Sequence, residues 1–301
     1  MIFKSVGAAV TVLIAGVPCA MAEANMTSFW IIADVPYSPQ DRVTLDGQIQ
    51  MLESNVDFLI HLGDIKSKRT TCGQAVLDQM DGILRQSPIP VFLLVGDNEF
   101  NDCVGMPQSQ ALRLWRNTFA RYDMKHWNHG FKVEQLRGRP EVFAFVNKRT
   151  LFIGLNMVGG VVSDYKEWNY RLMDQLVWVR NVMMKNSNVV HSVVIFGHAD
   201  PGAKHARFFN PLARFLRTEF PGNIPVLYVC GDSHKWSFNP GYFKVDNLLR
   251  VRLTGGTKEP IVKITVDPDA FGSAPVKAFK IERFLETENT LRNKTLSFTT
   301  I

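Results

Sequence analysis

Residues 56–66 read Val56-Asp57-Phe58-Leu59-Ile60-His61-Leu62-Gly63-Asp64-Ile65-Lys66. A short apolar run, Val56 to Leu62, stops at a glycine and hands over a carboxylate. Such a run reads as a buried strand that ends abruptly. The arrangement recurs on both sides of it. Ser28 to Ala33 ends at Asp34, Pro88 to Val95 at Gly96-Asp97, His191 to Phe196 at Gly197-His198, and Pro225 to Cys230 at Gly231-Asp232. Glycine at four of these five ends allows the backbone to turn tightly and approach a ligand.

Helical spacing fills the intervals. Val43–Leu52, Gln74–Leu84, Gln108–Tyr122, Lys166–Lys185 and Ala206–Phe220 are the predicted helices. The middle of the chain differs. Phe131–Glu134, Val142–Val146 and Leu151–Asn156 are close-spaced strand candidates with polar turns, as in antiparallel pairing, and Arg250 to Phe284 holds three more. Strands alternating with helices predict α/β layers, and the extra antiparallel strands predict a second sheet. No internal repeat, low-complexity linker or composition break divides the chain, so residues 23–301 are expected to form one domain.

In α/β sheets the carboxyl ends of the strands are where ligands bind. An Asp after a strand, taken singly, is usually a turn former or helix cap. Asp34, Asp64, Asp97, His198 and Asp232, with His234 close behind, repeat one context too often for that. Carboxylates and imidazoles converging from separate strands make a metal site.

The ends and the composition bound the setting. Of 301 residues, 46% are hydrophobic and 21% charged, which is ordinary globular composition. Lys4, the apolar stretch Val6–Val17 and Ala20-Met21-Ala22 read as a signal peptide cut after Ala22, so the mature chain starts at Glu23 and is secreted or periplasmic. No apolar run inside the chain reaches the ~18 residues of a membrane span. Three cysteines remain after cleavage. Cys72 follows the Asp64 loop and Cys103 the Asp97 loop, so a bridge between them is expected if those loops converge, with Cys230 as a buried thiol. The net charge of +6 is dispersed, with only Lys66, Lys68 and Arg69 clustered; no nucleic-acid-binding stripe results. The sequence specifies no oligomeric state.

Asp34-Val35-Pro36, Gly63-Asp64-Ile65-Lys66, Gly96-Asp97-Asn98-Glu99, Gly197-His198 and Gly231-Asp232-Ser233-His234 follow one another in the order of the calcineurin-like metallophosphoesterases. The chain resembles that family from about Thr27 to about Val266. The resemblance implies a four-layer α/β/β/α sandwich and one or two divalent ions. It implies that a metal-bound water attacks the phosphorus of a small phosphorylated substrate. Carried over by position, a first ion would touch Asp34, Asp64 and His234, and a second Asp64, Asp97, His198 and Asp232.

Four positions depart from the family pattern. Pro36 replaces a His ligand, Asp97 an Asn, Asn98 the His that assists catalysis, and Asp232 a His. The first ion loses a ligand, so the second is expected to be tighter. Four carboxylates beside two imidazoles favour Mn, Mg or Fe over Zn. Asn98 donates a hydrogen bond but delivers no proton, which implies slow turnover, good leaving groups, or another donor such as His126 or His129. Tyr37 and Lys66 are the candidate substrate-binding residues, with Lys68 and Arg69 as further cations. Two rival readings stay open: a non-catalytic metal-binding relative, and a phosphodiesterase or nuclease on the same scaffold.

Overall fold

A computed structural model of the chain describes residues 25–256, 261–267, 269–270, 275–285 and 297–300. The signal-peptide reading of residues 1–22 lies outside them. Two sheets stack face to face. The first is built on three parallel strands, β1 (Thr27–Ile32), β2 (Phe58–His61) and β3 (Val91–Leu93). Its other edge is extended antiparallel from β1 by β11 (Val262–Val266), β12 (Phe279–Leu285) and β13 (Ser297–Thr300).

The second sheet runs β4 (Glu134–Leu136), β5 (Arg139–Asn147), β6 (Thr150–Gly154), β7 (Ser192–Phe196), β8 (Val226–Cys230), β10 (Leu248–Arg252) and β9 (Ser237–Pro240). Strands β6, β7, β8 and β10 are parallel; β4, β5 and β9 are antiparallel to their neighbours.

The central parallel strands are mostly apolar because both their faces are covered. Side chains alternate across a strand, so one set points between the sheets and the other toward helices. Phe29, Ile31, Phe58, Ile60, Phe152, Phe196, Leu227 and Val229 form the inter-sheet core. At its middle the Phe29 and Phe58 rings stack at 5.1 Å, and Phe152 meets Phe58 edge-on at 5.0 Å.

The alternate residues Trp30, Ile32, Leu59, Val91 and Leu93 pack with apolar faces of α1 (Pro39–Gln50) and α2 (Gln74–Leu84). Leu151, Ile153, Val193, Ile195 and Val226 do the same with α5 (Tyr165–Asn186) and α6 (Ala206–Thr218). Helix α3 (Gln108–Phe119) packs against α2 and β5, and the single turn α4 (Asp123–His126) follows it. The layers are therefore the expected α/β/β/α.

The differences from the sequence reading are local. Helix α1 starts four residues before Val43 because Ser38 caps it, accepting the Asp41 N–H at 3.1 Å, with Pro39 at its first position. β4 is shifted to 134–136 from the expected 131–134, since Phe131 and Val133 pack onto the inter-sheet core as loop residues. β9 and β13 were not anticipated; both are short and polar. Among the described residues no helix is long and apolar enough to cross a membrane.

Candidate metal centre

The parallel strands of both sheets bring their carboxyl ends to one edge. β1 delivers Asp34, β2 Asp64 and β3 Asp97; β7 delivers His198 and β8 Asp232. Asp34, Asp64 and His198 each present a ligand atom within 4.8 Å of the others, and so do Asp97, His198 and Asp232. All but Asp232 are buried.

Four of the six expected ligands hold left-handed backbone: Asp34 (φ 59°), Asp64 (φ 59°), Asp232 (φ 67°) and His234 (φ 52°). Asp tolerates this region better than most residues, but it is still sparsely populated, and such conformations persist where the surroundings over-determine them. The packing here leaves little freedom. Gly63, at φ 104°, lies against the Gly96 backbone, and a side chain at Gly96 would run into Asp64. Glycine at both positions allows the Asp64 and Asp97 loops to cross in contact.

Hydrogen bonds lock these loops. The buried Glu99 carboxylate accepts the N–H groups of Gly96 at 2.7 Å, Asp64 at 3.0 Å and Ile65 at 3.3 Å. The buried His61 ring accepts the Gly63 N–H on Nδ1 at 3.1 Å and donates from Nε2 to the Val35 carbonyl at 2.8 Å, tying the Asp34 loop to the Asp64 loop. Cys72 and Cys103 form the expected disulfide, and Cys230 is a buried free thiol.

His198 is aimed as a metal ligand is. Its Nδ1 donates to the Leu62 carbonyl at 3.1 Å, which fixes the ring so that Nε2 faces the carboxylates and, on giving up its proton, could ligate an ion. Nε2 faces Asp97 Oδ1 at 3.0 Å, Asp64 Oδ1 at 3.4 Å and Asp232 Oδ1 at 3.9 Å. Burial pushes the Asp34, Asp64 and Asp232 carboxyls up. Burial alone would lower His198, but the carboxylates of Asp64, Asp97 and Asp34 hold it well above its usual value. Asp97 is pushed up by burial and brought down further by the His198 hydrogen bond and charge. Four carboxylates crowded out of water around one imidazole nitrogen are a poor arrangement without a cation and a good one with it. The oxygen-rich donor set fits hard divalent ions.

The remaining predicted residues take definite places. The Tyr37 hydroxyl donates toward Asp64 Oδ2 at 3.0 Å and Asp34 Oδ1 at 3.3 Å, beside the gap at Pro36. Asn98 turns inward. Its amide donates to Asp64 Oδ2 at 2.5 Å and the Lys66 carbonyl at 3.1 Å. Lys66 is buried, and its ammonium donates to the carbonyls of Thr70 at 2.9 Å and Ser67 at 3.3 Å rather than into open space. His234 stands outside both ligand groups, its ring 5.7 Å from that of Tyr37. His126 pairs with Asp81 at 3.0 Å on the outside of α2, and His129, nearly buried against Phe92 and Phe131, pairs with Asp123 at 3.2 Å, so both are engaged away from this centre.

Glu99 and His61 were not singled out from the sequence. Glu99 stood in a quoted motif, and a His inside an apolar strand, three residues before Asp64, was the available signal for the other.

A family profile described as calcineurin-like phosphoesterase matches residues 27–236. No curated protein sequence gives a significant match. Among solved structures, GAP50, the anchor in the inner membrane complex of Plasmodium, aligns with TM-score 0.53 at 9% identity, over 92% of this chain and 89% of that one. That likeness is one of fold. Purple acid phosphatase PPD1 from yellow lupin (Lupinus luteus) seeds aligns with TM-score 0.49 at 12% identity, over 93% of this chain and 54% of that one.

Proposed function

The chain belongs to the calcineurin-like phosphoesterase family, and from that premise we propose that it is a metal-dependent phosphoric ester hydrolase that works outside the cytoplasm. The observation that carries the reading is His198, whose Nε2 is presented to three carboxylates while Nδ1 is bound to Leu62. One lone pair serves one ion. Nε2 is nearest Asp97, which supports a tighter ion that His198, Asp97 and Asp232 would hold. Asp34 and Asp64 would hold a weaker one, His234 being the remaining candidate there.

Divalent ions in these positions would supply an activated water and neutralise charge on the phosphoryl oxygens. The chain's own groups position and exclude. Glu99 and His61 fix the loops, Asn98 and Tyr37 orient Asp64, and the buried Lys66 ammonium offsets the Glu99 carboxylate. No side chain assigned to the centre delivers a proton to the leaving group, so substrates with good leaving groups are favoured. The Cys72–Cys103 disulfide supports an oxidising compartment.

A second reading has one observation behind it. The Asn98 amide is spent on Asp64 and the Lys66 carbonyl, as in a protein that keeps the metal and lacks the reaction. One experiment separates them. The purified protein is loaded with Mn²⁺, Mg²⁺, Zn²⁺ or Fe and assayed with a phosphomonoester and a phosphodiester beside Asp64→Asn. Hydrolysis lost in Asp64→Asn supports the enzyme. Metal-dependent stabilisation without hydrolysis supports the non-catalytic relative. Activity unchanged in Asp64→Asn rejects the metal centre.

A further inference from the structure

Two exposed lysines meet at one peptide unit on the rim of the metal centre. The loop after β6 passes Asp232 at Gly159, where a side chain would strike the Asp232 carboxylate. The next peptide, Gly160 to Val161, is gripped on both sides. Its N–H donates to Asp102 Oδ1 at 2.8 Å, and Asp102 Oδ2 takes the Lys68 ammonium at 2.7 Å. Its carbonyl accepts the Lys204 ammonium.

Both lysines are placed, not merely present. Asp102 is almost wholly buried, and its own N–H is bonded to the Asp97 carbonyl at 2.8 Å, so it is fixed to a ligand loop. The Lys204 carbonyl accepts the Trp168 indole N–H at 2.9 Å, and its ammonium lies 5.9 Å from that ring's centroid. Burial pushes both the Asp97 and Asp232 carboxyls up, and the charge of Lys68 on Asp97 and of Lys204 on Asp232 acts against it.

Charge makes these lysines matter. The carboxylates of Asp34, Asp64, Asp97 and Asp232 formally cancel two divalent cations, so a loaded centre of this composition attracts an anion weakly. Lys66 is bonded to its own loop and faces Glu99. The ridge Lys68–Asp102–Gly160–Lys204 carries a net positive charge at the rim of the candidate centre, next to the Gly159 backbone that touches Asp232.

We propose that Lys68 and Lys204 are specificity-determining residues that select phosphate esters bearing a second anionic group, which they bind while the metal centre binds the phosphate. This rests on the phosphoesterase reading.

The test is calorimetric and needs no turnover. The Mn²⁺-loaded full chain is titrated with 4-carboxybenzylphosphonate and with its neutral counterpart, 4-carbamoylbenzylphosphonate. The carboxylate is expected to bind about fivefold to tenfold more tightly, the range for one or two rim ion pairs. That preference is expected to vanish in Lys68→Ala/Lys204→Ala and persist in Lys68→Arg/Lys204→Arg. A purely structural role for the lysines would weaken both phosphonates equally and would overturn the proposal. Equal binding of the two by the unaltered chain overturns it as well, with the phosphoesterase reading intact. Binding of neither removes that reading and the inference with it.

Discussion

Asn98 holds Asp64 twice, donating its backbone N–H to Oδ1 at 2.9 Å and its side-chain amide to Oδ2 at 2.5 Å. The residue that stands where the family has its assisting His thus serves a carboxylate of the candidate metal centre. Asn98→Ala is expected to weaken metal binding by about tenfold or more, the usual effect of losing a partner that orients a ligand. Asn98→His is expected to speed alkyl phosphates relative to 4-nitrophenyl phosphate, because general acid help is worth ~10²–10⁴-fold and matters most for poor leaving groups. Steady-state kinetics on the two substrates measure this. An unchanged ratio would place the proton donor elsewhere.

Tyr37 makes a prediction of opposite sign. Its hydroxyl donates to lone pairs of Asp34 and Asp64 that an ion held by those two carboxylates would also need. Tyr37→Phe is expected to lower the stability of the metal-free protein by about 1.5–3 kcal/mol, the range for a hydrogen bond to a charged group. The same change is expected to tighten the weaker ion, since those carboxylates lose a competing donor. Titration with Mn²⁺ after chelation reads both. Weaker binding in Tyr37→Phe would instead make the phenol a ligand.

The sequence displays the ligands because each ends an apolar strand: Asp34, Asp64, Asp97, His198 and Asp232 stand where β1, β2, β3, β7 and β8 stop. What holds them was less legible. Glu99 acts on N–H groups of Gly96, Asp64 and Ile65, and the last two are more than thirty residues away, so no local pattern marks it. His61 hides inside a strand read only for its apolar neighbours. β9 was missed because Ser237-Phe238-Asn239-Pro240 lacks alternation and exists by pairing with β10. Lys66 looked like a free cation beside Asp64; only the fold reveals that its stem is buried and its charge turned back on Ser67 and Thr70.

Glu99→Gln tests the three-way lock. An amide oxygen can still accept, but its NH₂ would face a backbone donor in a buried place. The expected loss is about 2–3 kcal/mol, from one unsatisfied pair and a weaker acceptor. Urea denaturation of the chelated protein measures it. Loss within about 0.5 kcal/mol, the range of an ordinary surface change, would show that the loops are held by other contacts.

The disulfide closes a loop of sequence separation 31 that carries Asp97 and Asn98. Cys72→Ser/Cys103→Ser is expected to lower stability by about 3–4 kcal/mol on the chain-entropy account. Metal affinity is expected to fall as well, because the Cys72 N–H is bonded to Val104 at 2.8 Å and its sulfur lies 3.6 Å from the Asn98 carbonyl. Calorimetry on the double variant checks the two effects separately. Unchanged affinity would confine the bridge to a stabilising role.

His61 gives the pH dependence. Burial lowers its imidazole from 6.5 to about 4. The folded state therefore binds this proton less readily than the unfolded state, and stability rises with pH across the interval. The contribution is fully present above pH 6.5 and is lost as pH falls toward about 4. The interval corresponds to about 3 kcal/mol. The physical cause is visible: a protonated Nδ1 cannot accept the Gly63 N–H, so acid breaks the tie between the Asp34 and Asp64 loops. His61→Gln retains a donor for Val35 without a titrating group. Urea midpoints of the chelated protein, measured between pH 4 and pH 7 and referred to that variant, are expected to show the parent losing stability faster toward acid by about one proton. Parallel curves would mean that His61 takes up its proton equally in the folded and unfolded states, and the histidine would then be a hydrogen-bonding strut with no part in acid sensitivity.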